Sequence, residues 1–362
     1  MQYLSLKISG LYEAAIRCIG WKTSYVHLSV LSIVVLLSNS CKQKSSVEPE
    51  SQKQADKVTQ MVKPKPEPPQ AKIVVPKDIL IGNFFQFLDT IVRQNDTLGS
   101  YPLTENLLLR ANPWILDSLI NTDYYIQMSF GNFVYDQKKM RVLKAGDTLL
   151  IPGPKTATAL LEKMAKTWLD INIPAFELRI IEGDSVLFKV PVRVGKSKKK
   201  YLEAAGHTVD LRTRTGTGQI IRVNRYPIFI DPVTGKRFKF TKRDDHKTTL
   251  MPQIPWLEPI INGQRYGQMI HPTTNPRSLG KPTSNGCIGI GEANAWRLYF
   301  FAPIGTKVHI RFDLQEINAA GDTLNYENIY RLKRTGKSLK PISVAGFWPG
   351  KMAGICVCDT MF

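Results

Sequence analysis

The sequence predicts an α+β protein, with a mostly helical accessory region over residues 78–173 and a mainly β domain, sandwich or barrel, over 174–313. Two patterns carry the prediction. In the first part, apolar residues recur at helical spacing: Phe84, Phe85, Phe87, Leu88, Ile91 and Val92, then Leu107, Leu108, Leu109, Trp114, Ile115, Leu116, Leu119 and Ile120, then Leu160, Leu161, Met164 and Trp168. In the second part, short runs alternate apolar and polar residues and are separated by Gly, Pro, Asn and Asp. A composition of 43% hydrophobic and 22% charged residues is that of a globular chain.

Residues 1–41 read as a targeting segment. Lys7, Arg17 and Lys22 precede an apolar run over 26–37, too short to span a bilayer comfortably and suited to the apolar core of a signal peptide. Ser38, Asn39 and Ser40 before Cys41 resemble a bacterial lipoprotein box, which makes Cys41 the candidate lipid attachment site; the alternative is an uncleaved N-terminal anchor. Either reading places the rest of the chain in the cell envelope, on the periplasmic side and tethered to a membrane. Residues 42–77 are a Pro- and Lys-rich linker with few apolar residues, a composition that cannot bury a core.

Within 78–173 the segment 142–152 breaks the helical pattern and reads as turn plus strand. The β domain opens with strands over 176–181 and 186–194 around the turn Glu182-Gly183-Asp184. A turn at 213–218 leads into a strand starting at Gln219, and residues 226–235 form a hairpin or crossing loop. Residues 292–300 read as a helix and 305–310 as a closing strand. The extension 314–362 continues as strand and turn, then ends in an apolar tail with Cys356 and Cys358.

The densest chemistry lies at 268–290, QMIHPTTNPRSLGKPTSNGCIGI. Met269-Ile270 and Ile288-Gly289-Ile290 read as strand ends, and the Pro- and Gly-rich stretch between them as an ordered loop. A loop returning to the strand beside its start puts the Cys287 thiol next to the His271 imidazole. An imidazole can take the thiol proton and so produce the nucleophilic thiolate. The carbonyl of Pro272, or the hydroxyl of Thr273 or Ser284, could orient the imidazole. The amides around Asn285, Gly286 and Cys287, with the Asn285 side chain, could form an oxyanion hole.

This stretch resembles the signature of the L,D-transpeptidase (YkuD-type) catalytic domain. His271-Pro272-Thr273, Pro276, Ser278-Leu279-Gly280 and Ser284-Asn285-Gly286-Cys287-Ile288 stand at the family's spacing, and Val194-Gly195-Lys196 and Thr215-Gly216 resemble its earlier motifs. The resemblance implies Cys287 as nucleophile and His271 as base, with no cofactor and no metal. Pro272 replaces the family's glycine, Asn285 its histidine, and Gly289 an arginine that helps hold the substrate; Arg214 and Arg277 are the candidates to replace that arginine. Residues 142–152, with Asn112-Pro113 upstream, faintly resemble the end of a LysM glycan-binding module.

The implied activity is acyl transfer from tetrapeptide stems of peptidoglycan to an amine, giving 3–3 cross-links. The acceptor stays open among a stem amine, a lipoprotein amine, a free D-amino acid, and water, which would make a carboxypeptidase. A catalytically weak wall-binding protein is the rival from another class. The balance of 49 basic against 30 acidic residues suits an acidic partner, and stem peptides carry free carboxylates. No nucleic-acid-binding motif accompanies the charge. The five histidines show no zinc-site spacing, and only His309 follows Cys287, against the Cys-before-His order of papain-like peptidases.

Overall fold

The computed structural model describes residues 71–96, 100–318 and 320–332. The targeting segment with Cys41, the linker up to residue 70 and the tail with Cys356 and Cys358 lie outside the described residues. The helical region begins with two short strands, β1 (Lys72–Val74) and β2 (Ile79–Leu80), so the end of the stretch read as linker is paired backbone. Helix α1 (Ile81–Asn95) follows because Ile81, Phe84, Phe85, Leu88 and Ile91 fall on one face and are buried together. In α2 (Glu105–Ala111) the cap is Thr104, whose Oγ1 accepts the Leu107 N–H at 3.2 Å. Then come α3 (Trp114–Ile120), α4 (Tyr124–Ser129), β3 (Arg141–Leu143), β4 (Thr148–Leu150) and α5 (Pro154–Ala165), the last opened by a proline in its first turn. β1 pairs with β4 and β2 with β3, both antiparallel.

The third helical stripe ends earlier than its apolar spacing suggests. Trp168 lies not in α5 but in β5 (Thr167–Asn172), opposite Ile181 on one neighbour and Lys307 on the other. Leu169 and Ile171 both point into the core at 0% exposure, which is strand periodicity taking over from helical periodicity.

The strands that follow are β6 (Glu177–Glu182), β7 (Ser185–Gly195), β8 (Lys199–Leu202), β9 (His207–Asp210), β10 (Gly216–Asn224), β11 (Phe240–Lys242), β12 (Thr248–Leu250), β13 (Trp256–Ile261), β14 (Ile270–Pro272), β15 (Pro282–Ser284) and β16 (Ile288–Ile290). After helix α6 (Glu292–Phe301) come β17 (Lys307–Arg311), β18 (Gln315–Ile317) and β19 (Thr323–Asn325). The main sheet runs β5-β6-β7-β16-β14-β13-β10-β17 and returns to β5, so it closes into a barrel; β15 attaches outside the ring to the end of β7. The pairs β8–β9, β11–β12 and β18–β19 are separate hairpins, and the lysine-rich run at 196–200 leads into the first of them.

Helix α6 joins the two regions. Trp296, Tyr299 and Phe300 are each at most 2% exposed, and Phe85 of α1 meets the Tyr299 ring edge-on at 5.4 Å. The buried apolar residues of α1 to α3 and of the barrel form one continuous core. The N-termini of α4 and α6 cap each other. Asp123 accepts the Tyr125 N–H at 2.8 Å with one carboxylate oxygen and the Ala293 N–H at 2.8 Å with the other, while Glu292 accepts the Tyr124 N–H at 3.2 Å.

Ion pairs fasten the β18–β19 hairpin to the barrel. Arg311 grips Asp170 with two bonds of 2.8 Å and also meets Glu316, which Arg179 holds from a second side at 2.9 Å. Burial pushes the Glu316 carboxyl up, yet these guanidinium partners outweigh it and hold the group down to about 2. Beyond the hairpin, the Tyr330 hydroxyl donates to the Gly195 carbonyl at 2.8 Å and accepts the Thr213 N–H at 3.1 Å.

Candidate active site

His271 and Cys287 come together because β14 and β16 are parallel neighbours. Ile270 stands opposite Ile288 and His271 opposite Gly289, so the residue just before β16 lies beside the start of β14. The Met269 N–H points to the Cys287 sulfur at 3.4 Å. The intervening stretch is less irregular than its composition suggests: it contains a single 3₁₀ turn at Pro276–Ser278 and the strand β15. Both side chains line a cleft of about 750 Å³.

The imidazole has a defined proton. Its Nδ1 lies 2.9 Å from the Pro272 carbonyl oxygen, which can only accept, so Nδ1 carries the hydrogen and Nε2 keeps its lone pair. Among the three candidate orienting groups it is therefore the Pro272 carbonyl that holds the ring. Thr273 and Ser284 serve the loop instead. The Thr273 hydroxyl lies 3.3 Å from that of Ser278, and the Ser284 hydroxyl donates to the Cys287 carbonyl at 2.6 Å while accepting the Gly286 N–H at 3.2 Å. That bond ties the Gly286 amide into the turn, so of the candidate oxyanion donors Asn285 and Cys287 are the ones that line the cleft without that engagement. Gly286 adopts φ +113°, where a Cβ would be strained and would also lie 3.1 Å from Gln268 Nε2.

Trp256, at the start of β13, packs its ring on His271 with centroids 4.8 Å apart and planes tilted by 32°. It fixes the face of the imidazole that the Pro272 bond does not. Ring packing across β13 and β14 has no local signal in the sequence, so this contact is not legible there.

Burial moves both groups toward their neutral forms. It lowers the His271 pKa to about 4, with the Arg193 guanidinium acting in the same direction and the Pro272 hydrogen bond opposing. It raises the Cys287 thiol, which the Met269 N–H and Arg193 pull back only in part. At neutral pH the resting pair is thiol and neutral imidazole. The unfolded chain takes a proton on this histidine near 6.5 and the folded chain only near 4, so the unfolded state binds more protons between those values. The contribution of His271 to stability is thus complete above 6.5 and lost as the pH falls through 4. An NMR titration of the His271 ring is expected to give a midpoint near 4; a midpoint near 6.5 would refute the buried, neutral assignment.

Arg214 and Arg277 are not cleft groups. The Arg214 guanidinium lies over the Tyr266 ring at 5.5 Å, and its backbone N–H donates to Gln268 Oε1. The Arg277 N–H donates to Asp244 Oδ2 at 2.8 Å, an exposed bond, and Arg277 is not among the cleft-lining residues. Two other arginines line the cleft: Arg237, which is exposed, and the half-buried Arg193 on β7, directly opposite Gly289. The signal of Arg193 was present in the alternation Val192-Arg193-Val194, which places a charge between two fully buried valines, but the partner strand was not readable.

Fold and site together define a closed-barrel domain with a cysteine and a histidine on adjoining parallel strands at a cleft. Residues 166–310 match the model of the L,D-transpeptidase catalytic domain family, YkuD. The chain is 27% identical to the YkuD protein of Bacillus licheniformis over 168 residues, 46% of this chain and 76% of that one. It is 25% identical to the YkuD protein of Bacillus subtilis over 223 residues, 60% of this chain and 96% of the other. Among solved structures, an L,D-transpeptidase from Xylanimonas cellulosilytica is matched over its whole length and 68% of this chain, at 14% identity and a TM-score of 0.30. One from Mycobacterium smegmatis is matched at 18% identity and a TM-score of 0.28, with 40% of this chain spanning 58% of that protein.

Proposed function

We propose that the protein is a peptidoglycan L,D-transpeptidase of the cell envelope, held at a membrane through Cys41 or an N-terminal anchor. The observation that carries the reading is a Cys287 thiol lining the same cleft as an imidazole whose proton is fixed on Nδ1 by Pro272. His271 Nε2 takes the thiol proton as the sulfur attacks the carbonyl of the diamino acid in a tetrapeptide stem. The oxyanion forms near Asn285. As the carbon–nitrogen bond breaks, His271 returns the proton to the leaving amine of the terminal D-alanine, and a thioester remains on Cys287. The amine of a second stem then attacks the thioester, gives its proton to His271 and expels the thiolate, which is reprotonated. The product is a 3–3 cross-link.

The test is turnover of disaccharide-tetrapeptide by the purified full chain, read by mass spectrometry. The expected product is a cross-linked dimer lacking one D-alanine. Tripeptide without dimer would mean that water is the acceptor, and no product would overturn the reading.

A further inference from the structure

Gly289 stands where the family's signature has an arginine, and the space a side chain would take there is already filled. A Cβ on Gly289 would stand 2.3 Å from Nε, 2.6 Å from Cγ and 2.9 Å from Cδ of Arg193. The Arg193 side chain therefore runs across the face of Gly289, and only glycine lets it pass. Pairing of Gly289 with Arg193 between β16 and β7 sets that register. The guanidinium ends among the groups that line the cleft with His271 and Cys287.

This cation has no structural task to explain it. The buried arginines elsewhere, Arg243 and Arg311, are matched by carboxylates. Arg193 makes no ion pair among the described residues, and its buried Nε has no hydrogen-bond partner. A desolvated guanidinium facing a cleft without an acceptor is costly unless a ligand supplies one. Its planar fork of donors fits a carboxylate. Lys196, Lys236 and Arg237 also line the cleft; Lys236 and Arg237 stand exposed, and the Lys196 ammonium is a point charge without the planar fork.

We propose that Arg193 is the carboxylate-binding residue of this cleft. It receives an anionic group of the acyl donor beside the Cys287 sulfur, and Gly289 is glycine to give it passage. The proposal deepens the transpeptidase reading and rests on it for the identity of the donor, but the affinity for a carboxylate stands on geometry alone.

The experiment compares alkylation of Cys287 by iodoacetate, which carries a carboxylate, and by iodoacetamide, which is neutral. The full chain is used, and the modified Cys287 peptide is quantified by mass spectrometry. A change in thiol ionisation alters both rates alike and cancels in their ratio. Arg193→Gln is expected to lower the iodoacetate-to-iodoacetamide ratio about tenfold, and Arg193→Lys to lower it less, because a point charge remains without the fork. Gly289→Ala, which keeps Arg193 but blocks its path, is expected to lower the ratio as well. The double variant Arg193→Ala/Gly289→Arg, which returns a guanidinium from the facing strand, is expected to restore part of it. A ratio unchanged in Arg193→Gln and in Gly289→Ala would overturn the proposal and leave Arg193 acting on the thiol alone. If the ratio responds but no stem peptide is turned over, the carboxylate site stands and the transpeptidase reading falls.

Discussion

Cys287→Ala is expected to abolish acyl transfer while leaving the fold intact. Removing the nucleophile of a covalent mechanism takes away the whole chemical path, and losses of roughly 10⁴-fold or more are usual when a nucleophile acts with its base as a unit. Among the described residues no second thiol lines the cleft to compensate. Stability should hardly move. The Cys287 side chain is half-buried, its polar contact is the 3.4 Å approach of the Met269 N–H, and alanine keeps the Cβ in place. Cys287→Ser retains the hydrogen-bonding atom but raises the pKa of the attacking group by several units, so it should lose nearly as much. The measurement is product formation from disaccharide-tetrapeptide, with thermal unfolding as the control on folding. Turnover by the alanine variant near the wild-type rate would remove Cys287 from the mechanism.

Glu292→Ala is expected to cost about 3–5 kcal/mol of stability, the range for breaking a buried ion pair by removing one partner. Glu292 begins α6 and pairs with Arg243, whose side chain is 2% exposed against 1% for the glutamate. Arg243 has no route to water. Its Nε donates to Thr249 Oγ1 at 2.8 Å, and its guanidinium lies 4.4 Å above the Tyr124 ring. Without the carboxylate the charge stays buried and unpaired, and the Tyr124 N–H loses its acceptor. The damage should reach the cleft. Arg243 follows β11 directly, and Thr241 of that strand shares a 2.8 Å hydroxyl contact with Thr274 in the loop beyond β14. Urea unfolding of the variant measures the loss. A change below about 1 kcal/mol would mean that the pair is offset by relaxation of the hairpin.

Much of the site could be read from residues alone because it is written in one continuous stretch. His271 and Cys287 flank a loop whose two ends read as strands, and the parallel pairing of β14 and β16 is the arrangement that such a loop requires. The stripe of α1, the β6–β7 hairpin and α6 were equally local. What escaped came from elsewhere in the chain. Arg193 lies 94 residues before Cys287 and enters the cleft only because β7 is the neighbour of β16. Trp256 reaches His271 across a strand pair. Arg214 and Arg277 were drawn in by their nearness in sequence to cleft motifs, yet neither is among the residues that line the cleft. Trp168 satisfied a helical stripe and a strand alternation at once, and pairing with β17 decided between them.

The closing of the ring has a consequence for the order in which this chain can fold. β5 finds its parallel partner β17 some 140 residues later, as the bond between Arg311 and Asp170 records at a separation of 141. β17 also fills the gap between β5 and β10. Until residue 311 has been made, the growing sheet has two unpaired edges, and each presents a row of backbone donors and acceptors open to any other strand. Local pieces such as the β6–β7 hairpin and α1 can form early, but the barrel must wait for almost the last strand described. A chain built this way folds slowly for its size, and its newly synthesised form passes through a stage at which a chaperone, or a second incomplete chain, can compete for the place of β17.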